Sequence, residues 1–226
     1  MRERAPGVHQ LVSFPPNAIN SYLLGDVLVD SGTRLDRPLL MRQLGNRKLS
    51  AHALTHAHGD HQGSSHAVCE RFECPFWVGA ADVEDAEAGG RAVYAKMPQP
   101  LHQVPRLYSY MFPGPGHPVA RQLREGDTVA DFTVLETPGH SAGHIAFWRE
   151  SDRVLIAGDV FTNMNVMTLM PGLHEPLDIF TPDPARNRES MRRLAALKPR
   201  LTCFGHGAPL RDPERLQAFT EALESR

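Results

Sequence analysis

The first part of the chain consists of short apolar runs separated by polar turns, a pattern that predicts strands alternating with helices. Gly25 and Asp26 separate two such runs, which is typical of a tight hairpin. Leucines at helical spacing before Gly45 predict a helix that ends there. The strands predicted in this part are 19–24, 27–32, 51–56 and 76–79. The helices are 36–45, 61–72 and a short acidic helix with a solvated face at 80–89.

The second half repeats this order of strands followed by helices. Asp183 and Pro184 are typical of a helix start, because Asp caps a first turn and Pro fits within it. The predicted strands are 127–140, 144–150, 152–161 and 200–207, and the predicted helices are 183–197 and 212–225. Strands followed by helices in both halves predict one layered α/β domain over residues 1–226, with no internal linker.

Two stretches lack a regular pattern. Six prolines interrupt residues 97–118, and a long irregular insertion in a compact domain is usually functional or disordered. Aromatic side chains within this insertion favour an ordered flap over the substrate. The other irregular stretch is 162–184. The candidate substrate-binding residues of the two stretches are Tyr108, Tyr110, Phe112 and His174.

Composition excludes several function classes. The formal net charge of −2 provides no basic field for a polyanion, so no nucleic acid partner is expected. No apolar run is long enough for a signal peptide or a membrane span, which predicts a cytoplasmic protein without a membrane partner. Three cysteines without CxxC spacing are expected to be small buried apolar residues. A small-molecule substrate is expected, and a homodimer is left open.

The 12 histidines are the unusual feature, and several of them follow predicted strands. Motifs containing His or Asp stand after four strands: THAHGDH (55–61), TPGHSAGH (137–144), AGDV (157–160) and FGHG (204–207). The carboxyl ends of strands are rigid positions where α/β proteins commonly build their sites. Neutral imidazoles and carboxylates are suitable ligands for zinc or iron, and a metal ion replaces the mutual repulsion of clustered histidines by coordination. The motifs therefore predict a metal site.

These four motifs, in this order and after LVDSG (28–32), resemble the metallo-β-lactamase superfamily over nearly the whole chain. The resemblance implies an α/β fold, the four-layer αββα sandwich, with a two-metal site at one edge. His56, His58 and His140 would bind the first metal, and Asp60, His61 and His206 would bind the second. Asp159 would bridge both. The resemblance also implies that Asp30 supports a metal-bound histidine.

The implied cofactors are two divalent metal ions, Zn above all, with Fe or Mn as alternatives. The implied reaction is the attack of a metal-bridging hydroxide on an ester, thioester or lactone carbonyl, with Asp60 as the catalytic residue that orients it. His144, four residues after His140, either supports the site or is an ordinary hydrogen-bonded histidine.

The substrate is left open, because loops on a shared fold determine it. An aspartate at position 159 disfavours β-lactam hydrolysis, since the true β-lactamases of the superfamily lack it. The pattern is close to that of glyoxalase II-like thioesterases, although their helical glutathione-binding domain is not expected here. The remaining alternatives are a lactonase, a phosphodiesterase of the same fold, and a persulfide dioxygenase-like oxidoreductase. The last of these would hold one iron at His56, His140 and Asp159.

Overall fold

The computed structural model describes residues 1–91 and 111–224. The strands of the first half are β1 (Arg2–Ala5), β2 (Val8–Gln10), β3 (Tyr22–Leu24), β4 (Val27–Val29), β5 (Ala51–Ala53), β6 (Phe76–Gly79) and β7 (Arg121–Leu123). They form one sheet in that order. The later strands are β8 (Thr128–Val129), β9 (Phe132–Glu136), β10 (Ile145–Arg149), β11 (Val154–Gly158), β12 (Thr162–Met164), β13 (Pro171–His174) and β14 (Leu201–Phe204). Their sheet has the order β14–β11–β10–β9–β8, and β12 pairs with β13.

Six α-helices in the described residues flank the sheets. They are α1 (Arg37–Leu44), α2 (Gly59–Gln62), α3 (Ser65–Phe72), α4 (Val83–Glu87), α5 (Pro184–Ala196) and α6 (Pro213–Glu224). Helix α5 begins as its sequence predicts, because the Asp183 side chain accepts a hydrogen bond from the Arg186 N–H and Pro184 lies in the first turn. No helix among these residues has the length and apolar character needed to cross a bilayer.

Alternation along the strands produces the layers. Val27 and Val29 belong to the core shared by the two sheets, whereas Leu28 between them packs with the helices outside the first sheet. In the second sheet Phe147 faces the shared core, and Trp148 packs with α5 and α6. Three apolar cores thus separate four layers, and the predicted αββα sandwich is confirmed.

The direction of pairing places one edge of each sheet at the same end of the sandwich. Strands β4, β5, β6 and β7 run parallel, and so do β11 and β14. Because the carboxyl ends of parallel strands lie at one edge, the loops that follow β4, β5, β11 and β14 can meet there. Those loops contain all the Asp and His motifs except TPGHSAGH, which follows β9, a strand that runs in the same direction as β11.

Several secondary-structure predictions were wrong. Residues 162–184 are not irregular throughout, because β12 and β13 form a hairpin there and Asp178–Phe180 is a 3-10 turn. The helix predicted at 61–72 is two helices, α2 and α3, separated by Gly63 and Ser64. The strand predicted at 127–140 is the antiparallel pair β8 and β9. The short acidic helix predicted at 80–89 is present as α4 after a 3-10 turn, but Asp82 is buried and does not belong to a solvated face. Strands β1, β2 and β7 were missed.

Candidate metal centre

All seven ligand candidates lie together at the shared edge of the two sheets. His56 follows β5, His58 caps α2, and α2 contains Asp60 and His61; the loops after β9, β11 and β14 supply His140, Asp159 and His206. Six of the seven are buried, and the Asp60 side chain is 23% exposed. The candidate site is therefore largely buried, and Asp60 is its most exposed member.

Their ligand atoms form two separate trios and a third group, His56, His61 and Asp159, that shares members with both. His56, His58 and His140, the first trio, have ligand atoms within 4.8 Å of one another. The second trio, Asp60, His61 and His206, has the same spacing. Asp159 lies between the trios.

Asp159 contacts both trios through one carboxylate oxygen. Its Oδ2 lies 3.6 Å from His140 Nε2 and 3.0 Å from His206 Nε2. A carboxylate in this position can reach two cations at once.

Hydrogen bonds at Nδ1 orient four of the rings. His56 donates to Thr55 Oγ1 (3.0 Å), His61 donates to Asp30 Oδ2 (3.0 Å), and His206 donates to the Ala18 carbonyl. His140 Nδ1 is hydrogen-bonded to Thr181 Oγ1 at 3.1 Å. The Nε2 atom of each ring is therefore the one left for a ligand.

Three buried atoms of the site have no hydrogen-bond partner among the described residues. They are His56 Nε2, His140 Nε2 and Asp159 Oδ1. Buried polar atoms are rarely left unpaired, and a bound ion is one of the few partners that can satisfy a group of them. Imidazole and carboxylate donors in this number fit zinc or iron, so the residues present fit the metal that the motifs predict.

Asp30 connects the two ends of THAHGDH. It has a positive φ of 57°, and its carboxylate accepts from the Thr55 N–H and Oγ1, both at 2.8 Å, and from His61. The same Thr55 hydroxyl accepts from His56. One carboxylate thereby orients His61 directly and His56 through Thr55.

His144 is bound to the backbone that presents Asp159. Its Nε2 accepts from the Asp159 N–H at 3.1 Å, and its Nδ1 is hydrogen-bonded to Thr137 Oγ1 at 2.8 Å. Burial lowers the pKa of His144 to about 3, so the ring is neutral. Gly158 permits this contact, because a Cβ at that position would lie 2.6 Å from His144 Nε2. His144 is thus a hydrogen-bonded histidine that also fixes the backbone at Asp159.

The two trios differ in charge. Burial and the neighbouring His61 lower the pKa of His56 well below its ordinary value, and burial and His58 do the same for the pKa of His140. Burial also lowers the pKa of His206, but the charge of Asp159 outweighs it and raises that pKa to about 10. The first trio is therefore neutral near pH 7, whereas His206 is protonated in the metal-free protein.

The carboxylates of the site are ionised. Burial raises the pKa of Asp159, but the charges of His206 and His61 lower it well below its ordinary value. The pKa of Asp60 is shifted in the same direction. Burial raises it, but the charges of His61 and His206 lower it by more than burial raises it. Both side chains are therefore in the form that binds cations.

Sequence reasoning missed Asp82, which joins two loops of the site. Its carboxylate accepts from the Ala57 N–H (3.0 Å), the Ser141 hydroxyl (2.6 Å) and the Gly143 N–H (2.6 Å). These donors belong to THAHGDH and to TPGHSAGH. Nothing in the local sequence pattern distinguishes Asp82 from the exposed Glu84. Only the position of Asp82 between the two motifs could have indicated this role.

Residues just before and at the start of β3 also fix the turn that contains His206. The Asn20 amide donates to the carbonyls of Phe204 (2.9 Å) and Gly207 (2.8 Å), and the Tyr22 hydroxyl donates to Phe204 (2.8 Å). These bonds join the first sheet to the end of β14.

A cavity of about 360 Å³ opens beside the cluster and is lined in part by five of the seven candidates, His58, Asp60, His140, Asp159 and His206. Two of the predicted substrate-binding residues, Phe112 and His174, also line it. The other two, Tyr108 and Tyr110, lie outside the described residues, as does most of the 97–118 insertion. The cluster and the cavity together form a site that is open to a small molecule.

The chain belongs to the metallo-beta-lactamase superfamily, because the model of that family matches residues 14–206. The resemblance that the motifs indicate is thereby confirmed. Membership defines the fold and the class of metal-dependent chemistry, but one fold hosts many substrates.

Individual relatives differ in the fraction of their own length that aligns with this chain. The probable metallo-hydrolase YflN of Bacillus subtilis (strain 168) is 28% identical, over 92% of this chain and 86% of its own. A hydroxyacylglutathione hydrolase of Bdellovibrio bacteriovorus is 32% identical over 69% of this chain, which spans 48% of that enzyme. This chain is also similar to TTHA1623, whose crystal structure was determined in a di-iron-bound form. The sequences are 29% identical, the match covers 89% of this chain and 93% of that chain, and the TM-score is 0.67.

Proposed function

We propose that this protein is a dinuclear metal-dependent hydrolase that cleaves an ester, a thioester or a lactone. The observation that carries the proposal is the position of Asp159, whose carboxylate contacts members of both trios beside an open cavity. The names of the metallo-hydrolase and hydroxyacylglutathione hydrolase relatives support the same reaction class.

In this proposal the first trio would hold one cation and the second trio the other, with Asp159 within reach of both. When bound, two divalent cations lower the pKa of water towards neutrality and polarise a carbonyl oxygen. Asp60, the most exposed of the candidates, accepts a hydrogen bond from the attacking water and so orients it towards the cavity. Asp30, Thr55 and His144 hold the rings and the backbone in place without contacting substrate.

Zinc is the proposed metal, with iron or manganese as alternatives. Imidazole and carboxylate ligands accept all three, so availability in the cell decides among them. The di-iron form of TTHA1623 supports iron as a serious alternative.

The test combines metal counting with turnover of a panel of esters, thioesters and lactones. Two metal ions per chain and hydrolysis that is lost on chelation are expected. Asp60→Asn and His140→Ala should each remove most turnover. His9→Ala is the matched control, because His9 is half-buried and lies far from the motifs in sequence. Full activity of a metal-free preparation would contradict the proposal.

A second candidate is supported by one observation. The three unpaired buried atoms belong to His56, His140 and Asp159, the set that a mononuclear iron dioxygenase would use. One iron per chain together with oxygen consumption on a persulfide would favour this oxidoreductase. Two metals per chain and no oxygen consumption would exclude it.

A further inference from the structure

The cavity beside the metal centre has apolar walls that reach the surface. Phe14, Leu35 and Met167 line it, although they are 84%, 59% and 63% exposed. Phe112 and Phe180 line it at half-buried positions. Grouped apolar side chains in contact with water usually mark a binding surface, and these are continuous with the catalytic candidates.

No Lys or Arg lines the cavity within residues 1–91 and 111–224. Two of its carboxylates are already neutralised or hydrogen-bonded by protein groups. Asp36 accepts from the Thr33 N–H at 2.8 Å and from its hydroxyl, and Glu175 is paired with Arg188 at 2.6 Å. An anionic substrate group along this wall would therefore have no cationic partner among the described residues, which is costly.

We infer that this cavity binds the uncharged acyl chain of the substrate. The inference rests on the proposed hydrolase function, which places the scissile carbonyl at the metal centre. The volume of about 360 Å³ is near the lower end of the ~300–1,000 Å³ found for small-molecule sites, so a chain of moderate length fits.

The first experiment measures kcat/KM of the metal-loaded enzyme on a series of esters with acyl chains of two to ten carbons. Burial of each added methylene is expected to raise kcat/KM by about fourfold until the cavity is filled. Esters of equal length that end in a carboxylate should react more slowly. A flat series, or a preference for the charged esters, would overturn the inference.

Two methionines of the β12–β13 hairpin provide a matched pair of variants. Met167 lines the cavity, whereas Met170, equally exposed at 65%, does not. Met167→Asp should flatten the chain-length dependence, and Met170→Asp should leave it unchanged. Equal responses of the two variants would show that the hairpin does not contact the acyl chain.

Failure of the proposed function is distinguishable from failure of this inference. Metal-dependent turnover with no chain-length dependence refutes the cavity assignment alone. If no ester is cleaved, calorimetry with neutral alkyl amides of increasing length still tests the cavity. Affinity that rises with length, with a negative heat capacity change, would support it, and length-independent affinity would refute it.

Discussion

The two trios at the sheet edge are oriented alike, but they differ in charge. In both, hydrogen bonds at Nδ1 fix the rings and leave Nε2 for a cation. The first trio contains histidines only and is neutral, whereas in the second His61 and His206 face the carboxylates of Asp60 and Asp159. The first trio can accept a cation without losing a proton, and the second must release protons first.

The largest expected difference between the trios is in their pH dependence. Carboxylates raise the pKa of His206 to about 10, so the ring is protonated below that pH in the metal-free protein. A cation that displaces one such proton gains about tenfold in affinity per pH unit, or about 100-fold between about pH 6 and 8. Binding at the first trio should change little over that range. Competition with a chromophoric chelator measures both affinities.

His206→Ala is the control for this prediction, because it leaves the first trio complete. Its remaining cation should bind with an affinity that is nearly independent of pH. A wild-type protein whose two cations show the same pH dependence would contradict the assigned charges.

The second largest effect is expected from removing the charge of Asp30, which accepts a hydrogen bond from His61. In Asp30→Asn the carboxylate that orients His61 is lost, and cation affinity at the second trio should fall about 10- to 100-fold. Metal analysis after dialysis should then find one cation per chain where the wild type retains two. Asp26→Asn, on the turn between β3 and β4, should retain both. Loss of both cations together would show that Asp30 supports the first trio, through Thr55 and His56, as strongly as the second.

Removal of the Asp82 carboxylate, which joins THAHGDH to TPGHSAGH, is expected to have a smaller effect. Asp82→Asn replaces a carboxylate oxygen by an amide group that cannot accept from the Ala57 N–H or the Ser141 hydroxyl. The free energy of unfolding should fall by about 2 kcal/mol, measured by denaturant titration of the metal-free protein. Glu84→Gln, an exposed change two residues away, should leave it unchanged.

The smallest expected effect is that of the neutral hydrogen bond to His140. Thr181→Val removes the hydroxyl at 3.1 Å from its Nδ1, and cation affinity at the first trio should fall about fivefold. A loss as large as that of Asp30→Asn would show that a neutral and a charged anchor are equivalent here, which would remove the main difference between the trios.

The strand-end motifs made the site predictable, whereas parts of the fold were not. THAHGDH and FGHG contain several donors within a few residues, and parallel strands bring such ends together wherever the chain folds in layers. Hairpin β12–β13 was missed because Pro171 and Gly172 are poor strand formers, and its pairing is a tertiary effect. Asp82 was missed because burial of an acid depends on donors distant in sequence. The assignment of each ligand to a cation remains a prediction.

His61 and His206 are separated by 145 residues, yet their Nε2 atoms lie 3.5 Å apart. During synthesis THAHGDH leaves the ribosome long before FGHG does, and Asn20 and Tyr22 have no carbonyl of Phe204 or Gly207 to bind until then. The complete two-cation pocket therefore cannot form before FGHG has been synthesised and has folded against the first sheet. Occupancy of both cation positions consequently reports that the first and second sheets have joined.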